Sequence, residues 1–266
     1  MRVDEQVVVV TGAGGGNGRA ISRRLAAEGA HVVAADINLQ AAEQTVEDIV
    51  ENGGVATAVQ VDVVDENSVQ ELFGIAVDLG GPHSVVAQAG VTVRGAIDQL
   101  ELSEWNKLIS VDVTGTFLTV REAIRAMMPR GGGSIVTMSG AFAYWSLPGT
   151  AGYAAAKGAI LSFTRAVAAE YGDRGIRCNT IVPGYVATEM VSSFVDSQPA
   201  PGAAAEEISD WHALGRIAEP DEVAKLAVFL CSDESSFSTG SPFYVDGGLG
   251  LGINSNQRPL HTGGVN

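Results

Sequence analysis

A glycine-rich turn set between an apolar strand and a helix constrains this chain more than any other feature. Val7–Val10 is a continuous apolar run, the pattern of a parallel strand buried on both faces. Thr11-Gly12-Ala13-Gly14-Gly15-Gly16-Asn17-Gly18 follows it at once and opens a helix over Arg19–Glu28. Glycines at such a turn let backbone N–H groups approach a pyrophosphate, whose charge the helix N-terminus stabilises. A lone glycine-rich run also suits a flexible loop; the order strand, loop, helix favours the dinucleotide site. A second strand, His31–Ala35, leads into Asp36 about twenty residues on. A carboxylate there hydrogen-bonds the adenosine ribose hydroxyls and repels a 2′-phosphate. Neither Gly15 nor Ile37 offers a cation to such a phosphate. The pattern predicts NAD (NADH) in preference to NADP.

Strand-like and helix-like segments go on alternating. Helices are predicted over Leu39–Asn52, Glu66–Asp78, Ser103–Met128, Ala151–Ala169 and Pro220–Leu230, and strands over Val55–Val61, Ser84–Ala87, Ser134–Met138, Arg177–Val182 and Phe243–Val245. Ser103 reads as an N-cap, and Pro129 with Gly131-Gly132-Gly133 closes that long helix. Such alternation implies right-handed crossovers and an α/β fold with a doubly wound parallel sheet, helices on both faces. The expectation is one domain over residues 1–253 and a polar tail over 254–266. Residues 189–214 read as an irregular segment of lid type, with a short helix at Glu206–His212.

The chain is 46% hydrophobic with a formal net charge of −15. That balance opposes nucleic-acid phosphates and anionic membranes. No apolar run of about 18 residues suggests a membrane span, and the N-terminus runs straight into a strand with no room for a signal peptide. Cys178 and Cys231 stand far apart, outside any metal-binding spacing; they read as small core residues of a cytoplasmic protein.

Tyr153-Ala-Ala-Ala-Lys157 lies in the Ala-rich helix, so the phenol and the ammonium share one face. A phenol of pKa about 10 is a poor proton carrier at neutral pH, and a nearby ammonium favours the phenolate. Two such residues are also ordinary solvated neighbours on a helix; the rest of the chain decides between the readings.

From about Gln6 to Gly248 the sequence resembles the short-chain dehydrogenase/reductase family. Thr11-Gly12-x-x-x-Gly16-x-Gly18 is similar to its cofactor motif, Asp62-Val63 to its adenine-contacting pair, and Tyr153-x-x-x-Lys157 to its catalytic pair. Pro183-Gly184 with Val186 and Thr188 resembles the segment that holds the nicotinamide ribose and carboxamide. Gly215-Arg216 through Pro220, and Tyr244-Val245-Asp246-Gly247-Gly248, resemble its C-terminal signatures. The resemblance implies a Rossmann-type fold in which the tyrosine exchanges a proton with the substrate oxygen. It also implies that the lysine grips the ribose and lowers the tyrosine pKa, that a serine polarises the reacting oxygen, and that an asparagine anchors a relay water.

Three positions depart from this pattern. Gly140 stands thirteen residues before Tyr153, where the serine belongs, and Ser139 is one place early. Adjacent strand residues face opposite ways, so Ser139 substitutes only if a turn brings it round; otherwise it is an ordinary strand-end serine. Asp112, in Val111-Asp112-Val113-Thr114-Gly115, occupies the asparagine place, either strengthening the Lys157 ammonium or bracketing two helices. Ala87-Gln88-Ala89-Gly90 replaces the family's Asn-Asn-Ala-Gly, keeping Ala89 and Gly90 for close approach to the adenosine ribose. Asn17 in the glycine loop is placed to donate to phosphate.

Ala141 and Phe142-Ala143-Tyr144-Trp145 follow the serine strand where the family places its substrate wall, so Tyr144 and Trp145 are expected to contact substrate or to pack beneath the lid. Met190, Val191, Phe194 and Trp211 are apolar lid candidates. The expected function is NAD(H)-dependent interconversion of a secondary alcohol and a ketone on a cyclic or aromatic small molecule. The alternative is a cofactor-binding relative with diverted or lost redox chemistry. Homologues often pair through two long helices, and Ala154, Ala155, Ala159 and Ala168 offer small faces for a homo-oligomer, tetramer or dimer, unless those alanines face the protein's own sheet.

Overall fold

The computed structural model describes residues 1–251, so the expected tail at 254–266 lies outside the described residues. Seven parallel strands form one sheet: β1 Val7–Thr11, β2 His31–Asp36, β3 Val55–Gln60, β4 Ser84–Ala87, β5 Gly133–Met138, β6 Ile176–Pro183 and β7 Pro242–Val245. Their spatial order is β3-β2-β1-β4-β5-β6-β7.

The apolar runs alternate between two cores, which is why they carry no polar face. Val8 and Val10 of β1, with Val32 and Ala34 of β2, pack on one side against α1 (Gly16–Ala27) and α9 (Pro220–Cys231). Val7, Val9, Val33 and Ala35 pack on the other, against α3 (Glu66–Asp78), α5 (Gly115–Met127) and α6 (Ala151–Tyr171). Both buried thiols belong to these cores, and burial pushes Cys178 and Cys231 up to about 12 each. Asn38 caps α2 (Leu39–Glu51) by accepting from the Ala41 N–H, and Asp65 caps α3 by accepting from those of Asn67 and Ser68. No helix among the described residues is long and apolar enough to cross a membrane.

Three sequence expectations require correction. The predicted helix over Ser103–Met128 is divided into α4 (Leu102–Leu108), a π-helical segment at Ile109–Thr114, and α5. Glu101, not Ser103, sits at its N-cap. The π segment widens the helix where Asp112 must turn inward, a distortion typical of functional positions. Residues 189–214 are not irregular: they hold α7 (Glu189–Asp196) and α8 (Pro201–Asp210). Ala168 presents no free face, because it is buried in the protein's own core beside Val167.

Two glycines fix the turn after β1. Gly12 adopts φ +68°, and its α-carbon lies so close to the backbone of Ala89, just beyond β4, that a β-carbon would stand 2.9 Å from the Ala89 α-carbon. A β-carbon on Gly18 would overlap the Gly12 carbonyl oxygen, which is backbone and cannot move aside. Gly18→Ala is expected to lower the urea-unfolding free energy by about 2 kcal/mol, strain outweighing any helix-propensity gain. An unchanged midpoint would show that the turn relaxes freely.

Candidate active site

The strand order reverses between β1 and β4, so the connections leaving their C-terminal ends diverge and open a cleft, the usual ligand position in such sheets. Gly12, Gly15, Gly16, Asn17, Asp36, Ala89 and Gly90 line one end of it. Asp36, at the end of β2, accepts from the Gly14 N–H on Oδ2 (2.9 Å) and from the Asn38 N–H on Oδ1 (2.9 Å). That fixes the carboxylate toward the glycine loop with lone pairs to spare. A β-carbon on Gly15 would meet nothing within 4 Å, so the N-terminus of α1 opens directly on the cleft. Asn17 Oδ1 is buried without a hydrogen-bond partner. An open helix N-terminus and a fixed carboxylate fit a dinucleotide.

Gly18, Ile37, Asp62 and Val63 stand beside the cleft rather than in its lining. Gly18 supports the turn. Ile37 is exposed at its edge, Asp62 accepts from the Val64 N–H (3.1 Å), and the Val63 side chain points into the core.

The central part of the cleft is built by α6, β5 and the π segment. Tyr153 and Lys157 both line it, and the Lys157 ammonium lies 5.3 Å from the Tyr153 ring centroid. Lys157 is buried at 5% exposure; its Nζ pairs with Asp112 Oδ2 at 2.9 Å and donates to the Met138 carbonyl at 3.3 Å. Asp112 is fully buried, its Oδ1 accepting from the Val91 N–H (2.8 Å) and its main-chain carbonyl from the Thr116 hydroxyl (2.6 Å). Asp112 therefore pairs with the lysine and also holds the loop after β4, a contact that neither sequence reading named.

Lys157 acts on Tyr153 in the expected direction, but burial acts more strongly. Burial pushes the Tyr153 phenol up, Lys157 pulls it down, Asp112 pushes it up again, and the outcome lies above the ordinary phenol value. Burial works against the Lys157 ammonium, but Tyr153 and Asp112 outweigh it and raise its pKa.

Ser139 lines the cleft, yet its hydroxyl donates to the Lys157 carbonyl at 2.8 Å. Its proton is committed to the helix backbone rather than to a reacting oxygen, a correction to the role expected of it. Gly140 has an extended backbone (φ 173°), and the nearest atom to a β-carbon there would be Lys157 Cγ at 3.9 Å. A side chain at 140 has room.

At the far end Pro183, Gly184, Val186 and Thr188 follow β6 and line the cleft, with Ala141, Met190 and Phe194 opposite. Tyr144 does not join them: its hydroxyl donates to Asp246 (2.7 Å) and its ring meets Tyr244, 5.2 Å away. Trp145 stacks behind the wall, on Phe142 (5.7 Å) and Trp211 (5.4 Å). Sequence reasoning missed Arg94 and Tyr185, which both line the cleft. Tyr185 directly follows Pro183-Gly184, so its adjacency was a usable signal; Arg94 lies on a long loop with no pattern to mark it.

With this geometry in place, comparison with known proteins is direct. The family model described as Enoyl-(Acyl carrier protein) reductase matches residues 12–250. Cyclohexanol dehydrogenase of Acinetobacter sp. (strain SE19) is 33% identical over 92% of this chain and 95% of its own length. A short-chain type dehydrogenase/reductase from Mycobacterium marinum superposes with a TM-score of 0.87 at 31% identity, covering 93% of this chain and 96% of that one. A putative NAD(P) dependent gluconate 5-dehydrogenase from Beutenbergia cavernae, solved with NADP at low occupancy, gives 0.87 at 32% identity, covering 93% and 97%.

This chain belongs to the short-chain dehydrogenase/reductase family. As a short-chain dehydrogenase/reductase it is an alcohol/ketone oxidoreductase using a nicotinamide cofactor.

Burial raises the Tyr153 pKa most, and the Asp112 carboxylate adds to that shift. Asp112→Asn removes that negative charge, so the Tyr153 ionisation moves to lower pH. If alcohol oxidation runs through the Tyr153 phenolate, the rising limb of its kcat–pH profile is expected to shift to lower pH in the variant. A limb at the same pH in both proteins would exclude Asp112 as its cause.

Proposed function

We propose that this short-chain dehydrogenase/reductase interconverts a secondary alcohol and a ketone on a cyclic or aromatic skeleton, with Tyr153 as acid/base and NAD(H) as cofactor. The observation that carries the reading is the Tyr153–Lys157 pair set in the cleft beside an open α1 N-terminus. The bound nicotinamide would give or take the hydride. Gly15, Gly16 and Asn17 would hold its pyrophosphate, Asp36 the adenosine ribose, and Thr188 with Val186 the nicotinamide end. Asp62 and Val63 would border the adenine.

The chain's own residues handle the proton. In the reducing direction Tyr153 donates it to the nascent alkoxide oxygen; in the oxidising direction the phenolate takes it back. Lys157 has three N–H donors; Asp112 and the Met138 carbonyl occupy two, leaving one for the cofactor ribose. Asp36 supports NAD(H) because it would repel a 2′-phosphate and the exposed Ile37 beside it brings no cation. Phe142, Met190, Val191 and Phe194 give the substrate end an apolar wall suited to a ring, in keeping with the cyclohexanol named for one relative. The segment 189–214 would act as the lid, excluding water over the reacting carbon. The exposed Ala155 on α6 and Phe117 on α5 leave the outer face of these helices open for a homo-oligomer.

The test follows reduced-nicotinamide absorbance with cyclic and aromatic ketones and alcohols, for NADH against NADPH. Turnover at least tenfold better with NADH is expected, and Tyr153→Phe is expected to lose about 10³ in kcat. Equal use of NADPH would overturn the Asp36 argument, and an active Tyr153→Phe the acid/base role.

The absent serine favours one rival, a site whose redox chemistry has been diverted. Gly140→Ser places a hydroxyl where the backbone accepts one, and is expected to leave stability within about 0.5 kcal/mol. Removing such a donor elsewhere costs about 10²–10³ in rate; adding one here is expected to raise kcat for ketone reduction at least tenfold. A silent wild type with an active variant would put the diverted reading first.

A further inference from the structure

Arg94, on the loop after β4, is a cation at the mouth of an apolar cleft and has no acidic partner. No carboxylate among the described residues forms an ion pair with it. Its guanidinium stacks 3.5 Å from the ring centroid of Phe194 on α7 and lies 5.9 Å from that of Phe142. Stacking uses the flat face of the guanidinium and leaves its in-plane N–H donors free, in the fork that matches a carboxylate.

A second observation points the same way. Tyr185 lines the cleft at 4% exposure, and its hydroxyl is buried with no hydrogen-bond partner. An unsatisfied buried hydroxyl costs about 1–3 kcal/mol, so a ligand that satisfies it is favoured. The residue is held firmly: its N–H donates to His212 Nε2 (3.2 Å), and His212 Nδ1 in turn meets the Ile208 carbonyl (2.8 Å). Burial pushes the Tyr185 phenol up and Arg94 opposes that shift, so the two groups are neighbours, yet no hydrogen bond of proper geometry joins them. Tyr153 stands across the same ring: Phe142 is 5.5 Å from Tyr153 and 6.0 Å from Tyr185, centroid to centroid.

We propose that the substrate carries a carboxylate, received by the Arg94 guanidinium and the Tyr185 hydroxyl, while its alcohol or ketone carbon faces Tyr153. The substrate class is thereby a hydroxy acid or oxo acid with an apolar body. The proposal rests on the alcohol/ketone reading above and adds the acid group to it. Arg94 is then the specificity-determining residue, and its stack on Phe194 ties α7 to the opposite wall.

The test titrates cyclohexanecarboxylate and cyclohexanecarboxamide into the full-length protein, with and without NAD⁺. Binding is read from the fluorescence of Trp145 and Trp211, the latter 5.7 Å from Tyr185. The acid is expected to bind at least tenfold tighter than the amide. Arg94→Gln should abolish that preference and Arg94→Lys retain part of it, since an ammonium keeps the charge without the fork. Tyr185→Phe should weaken the acid severalfold and the amide less, since a neutral carbonyl accepts the hydroxyl's hydrogen bond more weakly than a carboxylate does. Acid binding no tighter than amide binding, including measurable binding of neither, would overturn the proposal, as would a preference that survives Arg94→Gln. Redox turnover is read separately with neutral cyclic ketones. Wild type that reduces them while binding acid and amide alike loses the carboxylate proposal only; wild type that binds acid through Arg94 but reduces nothing loses the redox reading only.

Discussion

A buried ammonium organises the centre of this protein. An unpaired charge under so little water would cost several kcal/mol, and the fold answers with the Asp112 carboxylate at 2.9 Å and the Met138 carbonyl at 3.3 Å. Each partner then locks an element. Asp112 reaches the lysine from the π segment, holds the loop after β4 through the Val91 N–H, and takes the Thr116 hydroxyl on its carbonyl. Ser139 closes the frame from the other side by binding the Lys157 carbonyl, fastening β5 to α6. The π segment, the loop after β4, β5 and α6 are therefore joined through Lys157 and its partner Asp112. Removing that charge partner would disturb sheet, loop and helix together.

Legibility in the sequence follows from how local each signal is. The parallel strands announce themselves because residues such as Val7–Val10 face two cores in turn and admit no polar member. The glycine turn is equally readable, since Gly12 and Gly18 answer to steric limits set within a few residues of themselves and by one neighbouring strand. The π segment carries only an indirect mark: Ile109–Thr114 holds weak helix formers, four of them β-branched, which shows a soft point in the helix but not its widening toward Lys157. Helix α7 and the first half of α8 were missed for a different reason, while the short helix expected at Glu206–His212 overlaps the end of α8. Both helices are short, and the glycine and two prolines at 198–202 read as loop although Pro201 only begins α8.

The site divides in the same way. Tyr153, Lys157, Asp36 and the glycine loop lie where spacing put them, because each stands at a fixed offset on one element. Ser139 and Tyr144 turned elsewhere, because a hydroxyl beside a carbonyl or carboxylate takes that acceptor: the Lys157 carbonyl for the buried Ser139, Asp246 for the exposed Tyr144. Arg94 was invisible for a deeper reason. Its meaning depends on Phe194, which stands one hundred residues later on a helix that folds over the cleft. No local pattern encodes that meeting.

The two altered positions act on the same proton. With Gly140 in place of a serine, no side-chain hydroxyl stands at that position, and the proposed role of Tyr153 carries more weight. Burial raises the phenol pKa most, Lys157 opposes it, and Asp112, where the resemblance implies a neutral asparagine, raises it again. If Tyr153 exchanges the substrate proton as proposed, Asp112 is the contributor that a single charge-removing substitution isolates, because burial and Lys157 stay in place.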